Sequence, residues 1–316
     1  MKNIDEFATI FIKYCQYEKN LSPKTLRSYI IDLKQFIFYL TINGHPLDIL
    51  EIDKNAIRAY LQSISFLKPK SIKRKMATVK VLFNFLECED KILVNPFRKI
   101  KIQIREPFKL PNVMDIKEIE KIIRSAYSIK PSTNSKIANS FKVRDIAVLE
   151  LLFATGLRVS EICDLKTECI NLVTGLIKVK GKGNKERIIT VCNRETLRVL
   201  KEYHHLFHQM NRQNNNYFFL NRLNKRLSDQ SVRFLVRKYA RVAGFERNIT
   251  PHVFRHTFAT LLLEQDVDIT YIQHLLGHSS ITTTQLYTHV NGERQREILT
   301  QKHPRRHFVI TQPLVV

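Results

Sequence analysis

Between residues 95 and 113 the chain reads NPFRKIKIQIREPFKLPNV, and its prolines Pro96, Pro107 and Pro111 exclude a continuous helix through the stretch. This break constrains the fold more than any other feature, because the patterns on its two sides differ. Before it, LSPKTLRSYIIDLKQFIFYL predicts a helix with Ser22 as N-cap and Pro23 at its first position. Leu26, Tyr29, Ile30, Leu33, Ile37 and Leu40 fall on one face, with Lys24, Arg27 and Lys34 on the other. KPKSIKRKMATVKVLFNFLECED repeats the scheme, with Ile72, Met76, Val79, Phe83 and Leu86 inward and Lys73, Arg74 and Lys80 outward. Residues 1–106 are therefore expected to form an all-helical domain with basic outer faces, and residues 107–316 a second domain.

The second part is mixed. Asp115 and Glu118 have capping-box spacing ahead of DIKEIEKIIRSAY, and RDIAVLELLFATG has the apolar content of a buried helix. Between them SIKPSTNSKIANS predicts a surface loop. LIKVKGKGNKERIITV alternates Ile177 and Val179, then Ile188 and Val191, around Gly181, Gly183 and Asn184, which predicts a β-hairpin. Helices are expected at about 194–212, 228–243, 251–265, 268–275 and 281–290. The fold class is mainly α with one small β-hairpin.

Charge narrows the partner. The 52 Lys and Arg against 29 Asp and Glu leave +23, far beyond what solubility requires, and such a chain is drawn to polyanions, nucleic acid first. Both halves are basic, so both could grip one duplex from opposite sides. Five scattered cysteines without a CxxC pair give no disulfide framework and no thiolate zinc site, which suits a reducing cytoplasm. Asp5, Glu6 and Lys13 interrupt the amino terminus before it reaches signal-peptide length, and nowhere do about eighteen apolar residues run together, so no membrane partner is expected.

Four separated stretches gather the chemistry-bearing side chains: ATGLRVSEI with Arg158, KGKGNKERI with Lys182, TPHVFRHTF with His252 and Arg255, and LLGHSSITTTQLYTH with His278 and Tyr287. Of only eight glycines, Gly156, Gly181, Gly183 and Gly277 lie within two residues of one of these groups. In order and spacing the four stretches, with a late HPR, resemble the tyrosine recombinase (phage integrase) family, most closely its Xer branch. The resemblance spans nearly the full chain and implies a SAM-like, core-binding helical domain followed by an α+β catalytic domain. It implies a nucleophile in Tyr287, phosphate-binding arginines in Arg158 and Arg255, a general acid in Lys182, and assisting roles for His252 and His278.

The chemistry accounts for those types. Attack on a phosphodiester builds negative charge on the non-bridging oxygens, and a site without a metal must aim fixed cations at them, for which planar guanidinium forks are suited. A 5′-hydroxyl leaving group needs a proton, within the means of Lys182, while His252 could act as general base and His278 as a hydrogen-bond donor to the phosphate. A phenol nucleophile gives a 3′-phosphotyrosyl link that stores bond energy, so no cofactor is implied. Glu161, one turn after Arg158, is expected to orient site groups. Lys24, Arg27, Lys73, Arg74, Lys80, Lys185 and Arg187 are the expected DNA contacts. Partners implied are double-stranded DNA carrying specific recombination sites and further copies of the chain, four in the synapse, with a related recombinase or an accessory protein as candidates. The tail GERQREILTQKHPRRHF resembles the family's terminal segment, which docks on the next protomer.

Rival readings exist. His252 with His256 and His274 with His278 have the i,i+4 spacing of zinc ligands, but Arg255 lies inside the first pair and no Glu holds the HExxH position. A catalytically silent DNA-binding protein would lack the tyrosine or an arginine, and both are present. A type IB topoisomerase uses the same tyrosine chemistry, and the basic helical domain favours site-specific recombination over it.

Overall fold

The computed structural model describes residues 2–106, 112–130, 136–181, 186–210, 216–277, 292–310 and 314. Its backbone separates into two compact units, Met1–Lys109 and Leu110–Val316.

The amino-terminal unit contains α1 (Ile4–Tyr17), α2 (Pro23–Ile42), α3 (Lys54–Ser63) and α4 (Pro69–Cys88), followed by a 3-10 turn at Pro96–Lys99. Ser22 caps α2 by accepting from the Thr25 backbone, with Pro23 at its first position. Phe11, Phe36, Leu40, Ile57, Val79, Leu82, Phe83 and Leu86 are completely buried and form its core. The inward face of α4 is the one the apolar spacing predicts. On α2, Phe36 belongs to the buried face, whereas Ile30, expected on it, is 37% exposed. A polar knot that periodicity does not reveal joins the two long helices. Asp32, fully buried on α2, accepts from Arg74, from Lys75 Nζ at 3.3 Å and from Thr78 Oγ1 at 3.1 Å, all on α4.

The carboxy-terminal unit is built around α6 (Lys136–Thr155), flanked by α5 (Ile116–Ser128), α8 (Arg194–Met210), α9 (Asp229–Val242) and α10 (Pro251–Glu264). Val143, Ile146 to Leu149 and Leu151 to Phe153 are fully buried, so α6 is apolar on nearly every side, as a central helix must be. The capping box at the start of α5 is present, with Asp115 and Glu118 each accepting from the other's backbone N–H. The polar insert is shorter than the sequence suggests. Helix α6 already begins at Lys136, and its first turns are anchored by buried Ser140, whose hydroxyl donates to Ile137 O.

Strands β1 (Leu176–Lys180) and β2 (Glu186–Thr190) form an antiparallel hairpin in which Ile177 faces Ile189 and Val179 faces Arg187. The inward residue of β2 is Ile189, fully buried, whereas Ile188 is 57% exposed. With two adjacent isoleucines, alternation alone does not fix the face, and a one-residue slip reverses every side chain. The remaining α-helices among the described residues are α7 (Val159–Asp164), α11 (Ile269–Leu276) and α12 (Gly292–Lys302); the helix expected at 281–290 lies outside the described residues. Among the described residues no helix is long and apolar enough to cross a membrane.

Near the end of the described chain, Leu299, Phe308, Ile310 and Leu314 join the core of their own unit. Arg305, with no exposed surface, pairs with the equally buried Glu150 through Nε at 2.9 Å and Nη2 at 3.0 Å, and reaches Glu195 at 2.7 Å. Beside it His303 Nε2–H donates to Ala154 O at 2.9 Å, while its Nδ1 accepts from the Arg305 backbone N–H. That pattern is satisfied by the neutral ring.

Candidate active site

The turn between α6 and α7 begins the site. Gly156 has φ +59°, and a Cβ there would lie 2.5 Å from Phe258 Cδ1 and 2.8 Å from Leu276 Cδ2, so only glycine permits this close approach of α6, α10 and α11. Two residues on, Arg158 precedes the first turn of α7. Its backbone N–H donates to Glu161 Oε2 at 2.8 Å and its Nη1 to Glu161 Oε1 at 2.9 Å. Glu161 is 6% exposed. Burial would raise its pKa, but hydrogen bonds and charge from Arg187 and then Arg158 hold it below the ordinary carboxylate value.

Arg255 enters from α10, buried, and burial followed by repulsion from Arg158 lowers its pKa to about 10, so it remains cationic at neutral pH. Its Nη1 donates to Gly156 O at 2.8 Å and its Nη2 to Leu276 O at 2.6 Å. Gly277, at φ +67°, ends α11 as a left-handed cap. Its carbonyl accepts from Arg158 Nη2 at 2.7 Å, and the carbonyl of Leu275 accepts from Arg187 Nε at 3.0 Å. Three consecutive carbonyls at the negative end of α11 are thus each held by a different arginine. Segments more than a hundred residues apart in sequence meet there.

His252 stands exposed in the first turn of α10. Its pKa is lowered by desolvation and then by His256, Arg255, Arg233 and Arg158, which favours the neutral, proton-accepting ring. His256 and His274 are also exposed. Lys182, Lys185, His278 and Tyr287 lie outside the described residues.

The expected DNA contacts divide. Lys24 and Arg27 on α2 and Lys80 on α4 are exposed. Lys73 pairs with Glu106 at 2.7 Å, and Arg74 with the buried Asp32, though both keep nearly half of their side-chain surface. Arg187, expected among the DNA contacts, is turned into the unit. Its side chain is only 10% exposed, and Nη1 and Nη2 each donate to Glu161 at 2.9 Å while Nε holds Leu275 O. Every guanidinium nitrogen already has a protein acceptor. The available signal was strand alternation, since Arg187 is two residues before the buried Ile189.

Comparison with known proteins bears on this geometry. The phage integrase family profile matches residues 112–294, and the phage integrase N-terminal SAM-like domain profile matches residues 8–90. The chain belongs to the phage integrase family of tyrosine recombinases. This recombinase is similar to a tyrosine recombinase of Agathobacter rectalis, 44% identical over 98% of this chain and 99% of that one. It is also similar to tyrosine recombinase XerC of Thermodesulfovibrio yellowstonii, 34% identical over 96% of this chain and 98% of that one. The fold is shared with the XerH site-specific recombinase in a post-cleavage complex with a palindromic difH substrate: TM-score 0.69, 24% identity, 92% of this chain and 83% of that one. The recombinase is therefore a DNA-cleaving and rejoining enzyme of the integrase family, with the helical N-terminal domain and mixed catalytic domain of that class.

Proposed function

We propose that the protein is a cytoplasmic, site-specific recombinase that breaks and reseals double-stranded DNA through a 3′-phosphotyrosyl intermediate on Tyr287, resolving multimers as the Xer branch does or moving a mobile element. The observation that carries this reading is the convergence of Arg158 and Arg255 on the adjacent carbonyls Gly277 O and Leu276 O, directly before His278 in the chain. A guanidinium has five N–H donors. The protein oxygens that fix each of these two planes in place leave further donors for the scissile phosphate, whose growing negative charge is best stabilised by dipoles and cations set before the reaction.

In this mechanism Arg158 and Arg255 hold the non-bridging oxygens and Glu161 sets the Arg158 plane. Neutral His252 assists removal of the phenol proton from Tyr287 as it attacks phosphorus, and His278 donates to the phosphate. The P–O bond to the 5′-oxygen breaks, and Lys182 protonates that oxygen. A 5′-hydroxyl attacking the phosphotyrosine reverses these steps and restores a phosphodiester, with no net change in bond energy. Because one protomer offers one nucleophile and exchange between two duplexes cuts four strands, the working assembly is a tetramer of this chain, with or without a related recombinase. Lys24, Arg27 and Lys80 serve the sequence-independent grip on phosphates.

The test uses purified full-length protein and sheared genomic DNA of the strain that encodes it. Reactions are stopped with SDS, protein-linked fragments are captured and their ends are sequenced. The proposal requires discrete junctions with protein on the 3′ end and a free 5′-hydroxyl. Linkage to 5′ ends, or no linked DNA, contradicts it.

A further inference from the structure

We infer that Arg187 is a positioning residue for the phosphate clamp, acting through Glu161 and the end of α11. The inference rests on the reading of Arg158 as a phosphate ligand. Arg187 and Arg158 share one buried carboxylate: Glu161 Oε1 accepts from Arg187 Nη1 at 2.9 Å and from Arg158 Nη1 at 2.9 Å, and Oε2 accepts from Arg187 Nη2 at 2.9 Å. The second anchor of each arginine is the same helix terminus, Leu275 O for Arg187 and Gly277 O for Arg158. The two guanidinium groups therefore form two rungs between α7 and α11, joined at the carboxylate.

Packing makes the arrangement tight. A Cβ on Gly277 would lie 3.0 Å from Arg187 Nη1 and 3.2 Å from its Cζ, so the αL turn that ends α11 rests on the guanidinium itself. Arg187 is also the only one of the three arginines carried by the hairpin, opposite Val179 in the register. Its removal would leave Glu161 with one cation where it now has two, free to turn its oxygens and with them the Arg158 plane, and would release the end of α11. Lysine could not take its place, because a single ammonium has no planar fork with which to span both carboxylate oxygens and a carbonyl.

The experiment follows single-turnover adduct formation on a nicked duplex bearing a mapped junction, with wild type, Arg187→Gln and Arg187→Lys, on a natural phosphodiester and on a methylphosphonate at the scissile position. The methyl group removes the non-bridging charge and with it most of the need for a well-set cation clamp. Expected on the phosphodiester is a slowing of at least about tenfold for both variants with DNA affinity unchanged, and on the methylphosphonate a gap to wild type that shrinks to about threefold or less. Equal slowing on both substrates would assign Arg187 a merely structural role and overturn the inference, as would a wild-type rate in either variant. If Arg187→Gln does not fold, the Arg187→Lys comparison carries the same test, since it keeps a cation beside Glu161. Absence of any adduct with wild type would instead overturn the proposed function.

Discussion

At the residue scale, the proposed roles of Glu161 and His252 rest on their surroundings. Two arginines, Arg158 and Arg187, hold the Glu161 carboxylate, which is almost entirely withdrawn from water, and a buried charge that loses a partner is expensive. Glu161→Gln keeps the shape and removes the charge, so it should lower the stability of the catalytic unit by about 3 kcal/mol, read by denaturant unfolding; an unchanged midpoint would mean that the ion pairs contribute nothing net. His252 is held below the ordinary imidazole pKa of 6.5 by partial desolvation, then by His256 and the arginines near it. If it accepts a proton in its neutral form, the acid limb of the cleavage rate should fall below pH 6.5, and His252→Asn should abolish that limb. A limb at or above 6.5 would place the titration on another group. The residue types proposed for the site follow from the need of a phosphodiester reaction without a metal for several cations together. The direction of Arg187 was misread because in so basic a chain a lysine or arginine beside a glycine-rich turn looks solvent-facing, and only strand alternation points it inward.

Elements explain which parts of the fold the sequence revealed. The faces of α4 and the caps of α2 and α5 followed from spacing and from Ser22, Asp115 and Glu118, which are local properties. The start of α6, the face of β2 and the docking of the tail are decided by long-range packing, to which local pattern is blind. The turn at Gly156 is where α6, α10 and α11 meet. Gly156→Ala should cost more than about 1 kcal/mol of stability, because both the positive φ and the space are incompatible with a side chain; thermal melts that overlay wild type would contradict this packing. The tail supplies a pH prediction. Burial lowers the His303 pKa to about 4, from 6.5. Between those values the unfolded chain binds a proton that the native ring excludes, so its contribution to stability is complete above pH 6.5 and is lost as pH falls towards 4. From pH 7 to pH 5 the loss is about 2 kcal/mol. His303→Asn should flatten that part of the stability profile, and an unaltered slope would show that the ring is not held neutral.

At the scale of the whole molecule, the net charge of +23 and the exposed Lys24, Arg27 and Lys80 suit the proposed grip on phosphates. DNA affinity should therefore fall by about a hundredfold or more between about 50 and about 200 mM salt; binding insensitive to salt would rule out extensive phosphate contact. The division at the proline-rich stretch was visible because prolines stop helices whatever surrounds them. The docking of the tail on its own unit was not, because Arg305 and Glu150 are 155 residues apart and each reads alone as a surface charge. The central claim is that these arginines serve one phenol, Tyr287. The most direct test is mass spectrometry of the peptide left on trapped DNA after nuclease and protease digestion of wild type and Tyr287→Phe. A 3′-nucleotide on Tyr287 in wild type, and DNA binding without any adduct in the variant, is the predicted result; a nucleotide on another residue, or an adduct that survives the substitution, would contradict it.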